Sequence, residues 1–305
     1  MVRRGGDSNS CSPHGEPAFK AKSTGENRIR CIRDIEQYIE LRRVSGLSKG
    51  WVNDTRCYLS KFLRVVKGDV NQVNTINYLN DIQSKYSTTA YRKQTYQIRK
   101  FLLHLDYKWA MELQPPTEPM YIPKRISIED IQSALAYFKN NEYELQLKTV
   151  IYLGAYSGMR AKEIYQLRKN DINLDDRIIY INHKPREGQT TKTKQSRVSF
   201  ITPKVKELLN DYIEYYNNGC NMKHLFGEKH LHPYFRHCPI KVKDLRKYFS
   251  QEWDRRGGPT SIKKILMGHS LKGDVDLMHY NSQSPEDLKK IYDKVMGTKK
   301  SVIHT

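Results

Sequence analysis

Four prolines within twelve residues divide the chain. They lie in QPPTEPMYIPKR, residues 114–125, between long stretches of helical periodicity. Proline has no backbone N–H and its ring clashes with the preceding helical turn, so no helix can run through this segment. The sequence therefore predicts an extended linker over residues 113–125 that separates two domains.

Upstream of the linker, four segments have the periodicity of amphipathic helices. They are RCIRDIEQYIELRRV, SKGWVNDTRCYLSKFLRVV, NQVNTINYLNDIQSKY and TTAYRKQTYQIRKFLLHLDYKWA. We predict that they form a helical bundle over residues 27–112. Residues 1–26 are rich in Gly, Ser, Pro and charge and contain few large apolar residues, so we predict a disordered tail there.

Downstream of the linker, residues 126–305 combine helices with a pair of short strands. SIEDIQSALAYFKN begins with a capping pattern at Ser127 and Asp130, and ELQLKTVIYLGAY continues as an apolar helical run. DDRIIYINH and SRVSFITP alternate in the manner of strands, with KPREGQTTKTKQ as a basic hairpin loop between them. Further helical patterns follow, the last of them capped at Ser284. The expected fold class is α+β, mainly α with a small β-sheet.

The chain is strongly basic. Its 305 residues include 53 Lys+Arg against 33 Asp+Glu, which gives a formal net charge of +20. Such an excess predicts nucleic acid as the partner, with an anionic membrane surface as the alternative. No run of about 18 apolar residues exists, and the first residues, MVRRGGDSNS, lack the apolar core of a signal peptide. We expect a soluble cytoplasmic protein that does not enter membranes.

Cysteine usage argues against disulfides and metal. The five cysteines are odd in number and scattered, which predicts free thiols in a reducing compartment, with Cys31 and Cys57 in the core. Cysteine and histidine cluster between Cys220 and Cys238, in CNMKHLFGEKHLHPYFRHC, but their spacing fits none of the usual zinc patterns. We predict that the chain binds no metal.

Basic and aromatic residues are interleaved on the fourth helical segment. They are Tyr91, Arg92, Lys93, Tyr96, Arg99 and Lys100. Each of them could belong to an ordinary solvated helix face. As a group, Arg92, Lys93, Arg99 and Lys100 predict a DNA-binding surface, because clustered cations are suited to contact phosphates. Lys194, in the hairpin loop of the second domain, is a further predicted DNA contact.

The stretch YSGMRAKEIYQL places an arginine at a helix break. A buried helical pattern stops near Gly158, Arg160 follows, and a new helix restarts around Glu163. An arginine so close to a core needs an anionic partner, either a carboxylate such as Glu163 or a phosphate. The junction can therefore aim the guanidinium group of Arg160 into a cleft.

Further cations and a tyrosine follow in order. They are Lys192 and Lys194 in the hairpin loop, Lys243 and Arg246 on a later helix, His269 after Gly268, and Tyr280. A phosphodiester under attack concentrates negative charge on its nonbridging oxygens, so preplaced cations stabilise the transition state more than the ground state. With a tyrosine as nucleophile, this set predicts DNA cleavage without a metal, ATP or any other cofactor.

These segments resemble the tyrosine recombinase (phage integrase) family. SGMRAKEIYQLRKNDI resembles the family's first arginine box, and KVKDLRKYF followed by LMGHS and MHYN resembles its second. GLSKGWVNDTRCYLSKFL is similar to the start of the family's core-binding domain. The likeness covers most of residues 30–296 and is specific because the boxes occur in order. It implies an N-terminal helical core-binding bundle and a C-terminal catalytic domain.

The resemblance also implies a role for each matched residue. Arg160 and Arg246 would clamp the phosphate, and Glu163 would orient the first of these arginines. His269 would donate a hydrogen bond to a phosphoryl oxygen. Tyr280 would be the nucleophile.

Three positions carry alternatives or departures. Lys192 matches the hairpin lysine of the family, and the resemblance implies that it is the general acid that protonates the departing 5′ oxygen. Lys194 is the alternative for this role. Tyr248 and Tyr292 could lie near the same cleft as packing residues. Lys243 stands where the family commonly has a histidine, as in integrases of archaeal viruses and plasmids.

The implied function is site-specific DNA recombination through a 3′-phosphotyrosyl intermediate, for integration or excision of a mobile element. Exchange between two duplexes implies a homotetramer on two sites of double-stranded DNA, with a monomer in the absence of DNA left open. Two rival interpretations remain at this point. One is a type IB topoisomerase-like enzyme, and the other is a catalytically silent DNA-binding protein.

Overall fold

The proline-rich segment is where the chain divides. The computed structural model describes residues 25–217, 224–269 and 283–297. The boundary between two compact units, Met1–Ile122 and Pro123–Thr305, falls within this segment. Of the described chain, residues 113–127 contain no helix or strand, in keeping with their prolines.

The first unit is built from helices with polar side-chain caps. In its described part the α-helices are α1 (Gly25–Val44), α2 (Lys49–Val65), α3 (Gln72–Lys85) and α4 (Thr88–His104). Ser48, Asn71 and Ser87 cap the starts of α2, α3 and α4 through side-chain oxygens that accept backbone N–H groups. Apolar faces meet in a core that includes Leu59, Phe62, Ile98, Phe101 and Leu102. All four predicted helices of the bundle are confirmed.

Cys57, on α2, departs from the sequence prediction. Its side chain is half-buried rather than in the core, and it is disulfide-bonded. The prediction of free thiols is therefore wrong at this position, because spacing along a chain does not report which sulfur atoms approach in space. Cys238 is a free and buried thiol.

The second unit combines helices with a small antiparallel sheet. In its described part the α-helices are α5 (Ile128–Tyr137), α6 (Glu144–Ser157), α7 (Ala161–Tyr165), α8 (Pro203–Asn217), α9 (Glu228–Tyr234), α10 (Val242–Arg255), α11 (Thr260–Met267) and α12 (Pro285–Met296). The strands are β1 (Ile172–Asn173), β2 (Ile178–Ile181) and β3 (Arg197–Phe200), in the order β1-β2-β3. The mainly helical fold with a small sheet is confirmed. None of the described helices has the length and apolarity needed to span a membrane.

The central helix α6 brings the two arginine-bearing segments together. Every residue of α6 from Val150 to Ser157 is buried. α6 packs against α10, and a Cβ atom on Gly154 would lie 2.8 Å from side-chain atoms of Leu245 on α10. The backbones of these helices therefore approach closely. Because Arg160 follows α6 and Arg246 lies on α10, this packing sets the distance between their side chains.

The end of α6 yields a stability prediction. Gly158 has a φ of +65°, and a Cβ atom there would lie 2.6 Å from the ring of Phe249. We expect Gly158→Ala to lower the free energy of unfolding by about 3 kcal/mol, because it combines a left-handed alanine with overpacking of the core. Gly257→Ala is the matched control, since Gly257 has a φ of +72° but no atom within 4 Å of an added Cβ. We expect the control to cost only about 1 kcal/mol. Equal costs in urea titrations would contradict the proposed clash.

Candidate active site

The chain turns sharply between α6 and α7. Gly158 caps α6 in the left-handed conformation, which residues with a Cβ atom rarely adopt. Ser157 supports this end, because its hydroxyl donates a 2.6 Å hydrogen bond to the carbonyl of Leu153. Arg160 then takes an extended conformation immediately before α7. Arg160 thus lies at a junction of two helices, as the sequence pattern predicts.

Glu163 holds Arg160 in place. Its carboxylate accepts the Arg160 backbone N–H at 2.8 Å and the Arg160 Nη1 at 3.0 Å. It also accepts Nη1 and Nη2 of Arg197 at 3.0 and 2.7 Å. These four bonds match the number of lone pairs on a carboxylate, so its acceptor capacity is used by protein donors. Glu163 is therefore a structural anion that orients cations, and its side chain is only 2% exposed.

The ionisation of Glu163 is stabilised by the same contacts. Burial raises its pKa, but hydrogen bonds and charge from Arg197, followed by those of Arg160, leave the pKa below its ordinary value. The folded state therefore gains stability from this carboxylate above the pKa of the unfolded chain. That stability is lost as the pH falls through the lower folded-state pKa.

A second contact fixes the other end of the Arg160 guanidinium group. Its Nη2 donates to the carbonyl of Gly268, at the end of α11, at 2.9 Å. Among the described residues, two of its five guanidinium N–H donors are therefore engaged. The side chain is 22% exposed. Arg160 is thus held rigidly while part of its guanidinium group still faces solvent.

Arg246 lies in the same cluster. It projects from α10, and its Nη1 donates to the carbonyl of Gly158 at 2.5 Å. Burial, and then the charges of Arg160 and Arg197, lower the pKa of Arg246 to about 9, while Glu163 opposes this effect. Arg160 and Arg197 thus bind the Glu163 carboxylate directly, whereas Arg246 feels only its charge. Such an arrangement is electrostatically unfavourable until a further anion binds.

His269 is the next residue after Gly268, whose carbonyl binds Arg160. Gly268 ends α11 with a φ of +61°, and the backbone N–H of His269 donates to the carbonyl of Lys264 at 3.0 Å. Partial burial, and then the charges of Arg246 and Arg160, lower the pKa of His269 below 6.5. Its imidazole is therefore neutral at pH 7, where one ring nitrogen is a hydrogen-bond donor.

The lowered pKa of His269 leads to a prediction for solution. In the free protein we expect the His269 imidazole to titrate below its ordinary value of 6.5, and a bound phosphate group to raise that pKa by supplying negative charge. Because the unfolded state binds this proton more tightly, the group opposes folding as the pH falls below 6.5. NMR titration of the imidazole Cε1 proton, with and without duplex DNA, measures both effects. A pKa at or above 6.5 in the free protein would contradict the cluster's electrostatics.

The remaining predicted cations of the site are exposed. Lys243 lies three residues before Arg246, and therefore on a similar side of α10. Lys192 and Lys194 are exposed in the loop between β2 and β3. Thr191 closes this turn, because its hydroxyl donates to the Gln195 carbonyl at 2.9 Å and accepts the Gln195 N–H at 3.1 Å. The structure thus presents both loop lysines to solvent on a turn with a defined shape.

This unit matches the sequence profile of the Phage integrase family over residues 124–286. The chain belongs to the phage integrase family. Among its relatives, the tyrosine recombinase XerA of Thermococcus kodakarensis is 25% identical over 249 residues, covering 81% of this chain and 83% of the relative. A tyrosine recombinase of Agathobacter rectalis is 24% identical, covering 74% and 78%. The protein is therefore a tyrosine recombinase, a DNA strand transferase of site-specific recombination. The topoisomerase-like and silent DNA-binding interpretations are not favoured.

Solved integrase structures share the fold. A lambda integrase dimer bound to a COC′ core site aligns with a TM-score of 0.63 at 10% identity, covering 83% of this chain and 98% of the other. The Tn1549 transposon integrase in complex with transposon right end DNA aligns with a TM-score of 0.58 at 11% identity, covering 88% and 99%. These likenesses place the chain in the integrase fold.

The rival tyrosines of this recombinase are poor nucleophiles. Tyr292 is fully buried, and its hydroxyl donates to the carbonyl of Tyr156 at 2.8 Å. Tyr248 is 3% exposed. Burial raises the pKa of both phenols well above the ordinary value, so neither side chain readily forms a phenolate. Tyr280, the predicted nucleophile, lies outside the described residues.

The basic residues of α4 divide into two groups. Arg92 and Arg99 bind the chain beyond α4: Arg92 Nε donates to the Pro116 carbonyl at 2.9 Å, and Arg99 Nη2 donates to the Met111 carbonyl at 3.3 Å. Lys93 is exposed, and the Lys100 ammonium lies 4.5 Å from the ring centroid of Tyr96. Of the four predicted DNA contacts on α4, the two arginines thus also have structural partners within the first unit.

Part of the cysteine- and histidine-rich segment packs into the core of the second unit, where Leu231 and Cys238 are buried. Within the described residues, no group of three or more His, Cys, Asp or Glu side chains could hold a metal ion. His230 instead packs edge-to-face on Tyr143, with ring centroids 4.5 Å apart. Cys220 lies outside the described residues. The segment contains α9, a helix that the sequence analysis did not predict.

Proposed function

We propose that Arg160, Arg246 and His269 bind one scissile DNA phosphate and that Tyr280 attacks it. The observation that carries the proposal is the cluster of three guanidinium groups around one carboxylate, in which the pKa of Arg246 is lowered to about 9. A phosphodiester would supply the anion that this cluster needs. Arginine suits this task because its planar fork can bind two phosphoryl oxygens at once.

The proposed reaction is a transesterification. The phenol oxygen of Tyr280 forms a bond to phosphorus, the bond from phosphorus to the 5′ oxygen breaks, and the phenol proton is released as a proton reaches the departing oxygen. Lys192 is the proposed general acid for that oxygen, with Lys194 as the alternative. Attack by the 5′-hydroxyl of a partner strand reverses these changes and regenerates the tyrosine.

The remaining residues have supporting roles in the proposal. The arginines stabilise charge that develops on the nonbridging oxygens, and neutral His269 donates a hydrogen bond to one of them. Glu163 keeps Arg160 oriented. Lys243 adds positive charge, since an ammonium must first lose its proton before it could act as a base.

The proposed biological setting is integration or excision of a mobile element such as an archaeal virus or plasmid. Two duplexes that exchange strands require a homotetramer on two sites, and the protein would be monomeric without DNA. It would act on DNA in the host cytoplasm. The XerA relatives from two Thermococcus species support the archaeal assignment.

A covalent-trapping experiment tests the proposal. Duplexes enriched from a random pool by binding to the protein would be nicked beside the cleavage position, so that the short 5′-hydroxyl fragment diffuses away and religation stops. We expect a covalent adduct to form in EDTA without ATP, and peptide mapping to place the DNA on Tyr280. An adduct on another residue would refute the nucleophile. A two-site exchange assay then distinguishes recombination from simple DNA relaxation.

A further inference from the structure

A third arginine lies in the cluster that sequence analysis did not assign. Arg197 begins β3, directly after the loop that carries Lys192 and Lys194. Its guanidinium group donates to Glu163 through Nη1 and Nη2, at 3.0 and 2.7 Å. Its Nε donates to the carbonyl of Leu266, near the end of α11, at 2.8 Å. All three nitrogen atoms of Arg197 are thus bound to the protein.

Arg197 is more buried than Arg160, one of the two arginines proposed to bind the phosphate. Its side chain is 9% exposed, compared with 22% for Arg160. A guanidinium group whose nitrogens all face protein acceptors is poorly placed to grip a DNA phosphate as well. Its charge nevertheless acts on the cluster, because it contributes to the lowered pKa of both Arg246 and His269.

The position of Arg197 is electrostatically costly. A third buried cation beside Arg160 and Arg246 is tolerated when it is paired, and Glu163 supplies that pairing in the bidentate geometry that arginine and carboxylate favour. A lysine could not reproduce it, because a single ammonium cannot span both carboxylate oxygens and a carbonyl on α11. The arrangement is therefore specific to a guanidinium group.

We propose that Arg197 is a positioning residue of the recombinase. Its bonds to Glu163 hold the carboxylate that orients Arg160. Its bond to the Leu266 carbonyl holds the end of α11, which His269 follows closely. The inference rests on the proposed function, because it assigns the orientation of two groups that bind the scissile phosphate. It also links β3, and so the loop with Lys192, to the arginine cluster.

The close fit around Gly268 supports this assignment. A Cβ atom on Gly268 would lie 2.9 Å from Cδ, Nε and Nη1 of Arg197. The same glycine has a φ of +61°, and its carbonyl accepts Arg160. Arg197 thus packs directly against the backbone that positions both Arg160 and His269.

Arg197→Ala and Arg197→Lys test the proposal in the 305-residue chain. We expect Arg197→Ala to reduce the single-turnover rate of covalent cleavage by about 10²-fold, because displacement of positioned groups by about 1 Å has effects of that order. The dissociation constant for the duplex should change less than about threefold, since Arg197 does not contact DNA. Arg197→Lys, which keeps the charge, should reduce the same cleavage rate by about 10-fold. This variant tests the proposal if Arg197→Ala does not fold.

A matched control separates positioning from general stability. Arg177 makes a comparable bidentate pair with Asp293, at 2.7 and 2.5 Å, and also binds the Ile201 carbonyl. Its side chain is 18% exposed. We expect Arg177→Ala to lower the thermal midpoint as well, while cleavage by the folded protein changes less than about threefold. An equal loss of cleavage in both variants would overturn the proposal.

A double-mutant cycle with Glu163→Gln gives the decisive readout. If Arg197 acts through Glu163, Arg197→Ala should reduce the single-turnover cleavage rate by less than about threefold in the Glu163→Gln background. In the wild-type background the same substitution should reduce that rate by about 10²-fold. Equal costs in both backgrounds would show that Arg197 acts independently, and the inference would be wrong. If the wild-type protein itself forms no adduct, the proposed function fails instead, so the two failures are distinguishable.

Discussion

Tyr280→Phe is expected to abolish the covalent adduct while leaving DNA binding within about threefold of wild type. Phenylalanine retains the ring but has no oxygen to attack phosphorus. Removal of a nucleophile costs at least about 10³-fold in catalysed reactions, so no adduct should be seen on the timescale of the wild-type reaction. Denaturing gel electrophoresis of the nicked duplex after incubation with the protein measures this directly.

Tyr248→Phe and Tyr292→Phe are the matched controls. Both remove one hydroxyl from a tyrosine of the catalytic unit, and both side chains are buried. We expect each control to retain adduct formation within about threefold. Tyr292→Phe should also lose about 1 kcal/mol of stability, because the Tyr156 carbonyl loses its donor. Adduct formation by Tyr280→Phe, or its loss in either control, would contradict the assignment of the nucleophile.

Arg246→Met has the second largest expected effect. The substitution keeps much of the volume but removes the guanidinium group that we place on the phosphate. Removal of one preorganised donor to a developing anion reduces the rate by about 10² to 10³, and we expect a loss of cleavage at the upper end of that range. Single-turnover cleavage at saturating protein measures this loss without a contribution from binding.

The same variant should be at least as stable as the wild type. Burial and neighbouring cations lower the pKa of Arg246 to about 9, so its charge is unfavourable in the free protein. We expect the thermal midpoint to rise by about 2–4 °C when that charge is removed. Arg255→Met is the control on the same helix, since the Arg255 side chain is 66% exposed and pairs with Glu252. It should change neither cleavage nor stability appreciably. Destabilisation by Arg246→Met would show instead that the bond from Arg246 to the Gly158 carbonyl outweighs the unfavourable charge.

Local signals in the sequence were sufficient for most of the fold. The capping box at Ser127 and Asp130 and the cap at Ser284 start helices as predicted. The alternating segments form β2 and β3, paired so that Ile179 lies opposite Ser199. These features depend on interactions within a few residues, which is why periodicity and caps report them.

The elements that sequence analysis missed lack such signals. α9 is a seven-residue helix with a proline inside it, so its pattern is too short and too interrupted to identify. β1 has only two residues, which pair with β2 through contacts that periodicity cannot predict. The disulfide bond of Cys57 likewise depends on proximity in space.

The residues of the candidate site likewise divide into those that local sequence motifs reveal and one that only contacts in space reveal. Arg160, Glu163, Arg246 and His269 lie in ordered motifs, and the structure brings them into one cluster. Arg197 follows a loop rich in lysine, and nothing in its local sequence distinguishes a buried cation from an exposed one. Its role depends on contacts with residues 34 and 69 positions away in the chain. Tertiary geometry was therefore needed to recognise it.

The central claim is that the arginine cluster neutralises the charge of a single phosphate. A duplex with a methylphosphonate at the scissile position tests it, because a methyl group replaces one charged nonbridging oxygen. We expect Arg246→Met to reduce cleavage of the ordinary phosphodiester by about 10² to 10³ but cleavage of the methylphosphonate by less than about 10-fold. If the substitution reduces cleavage of both duplexes by the same factor, Arg246 does not act on that phosphate and the account is wrong.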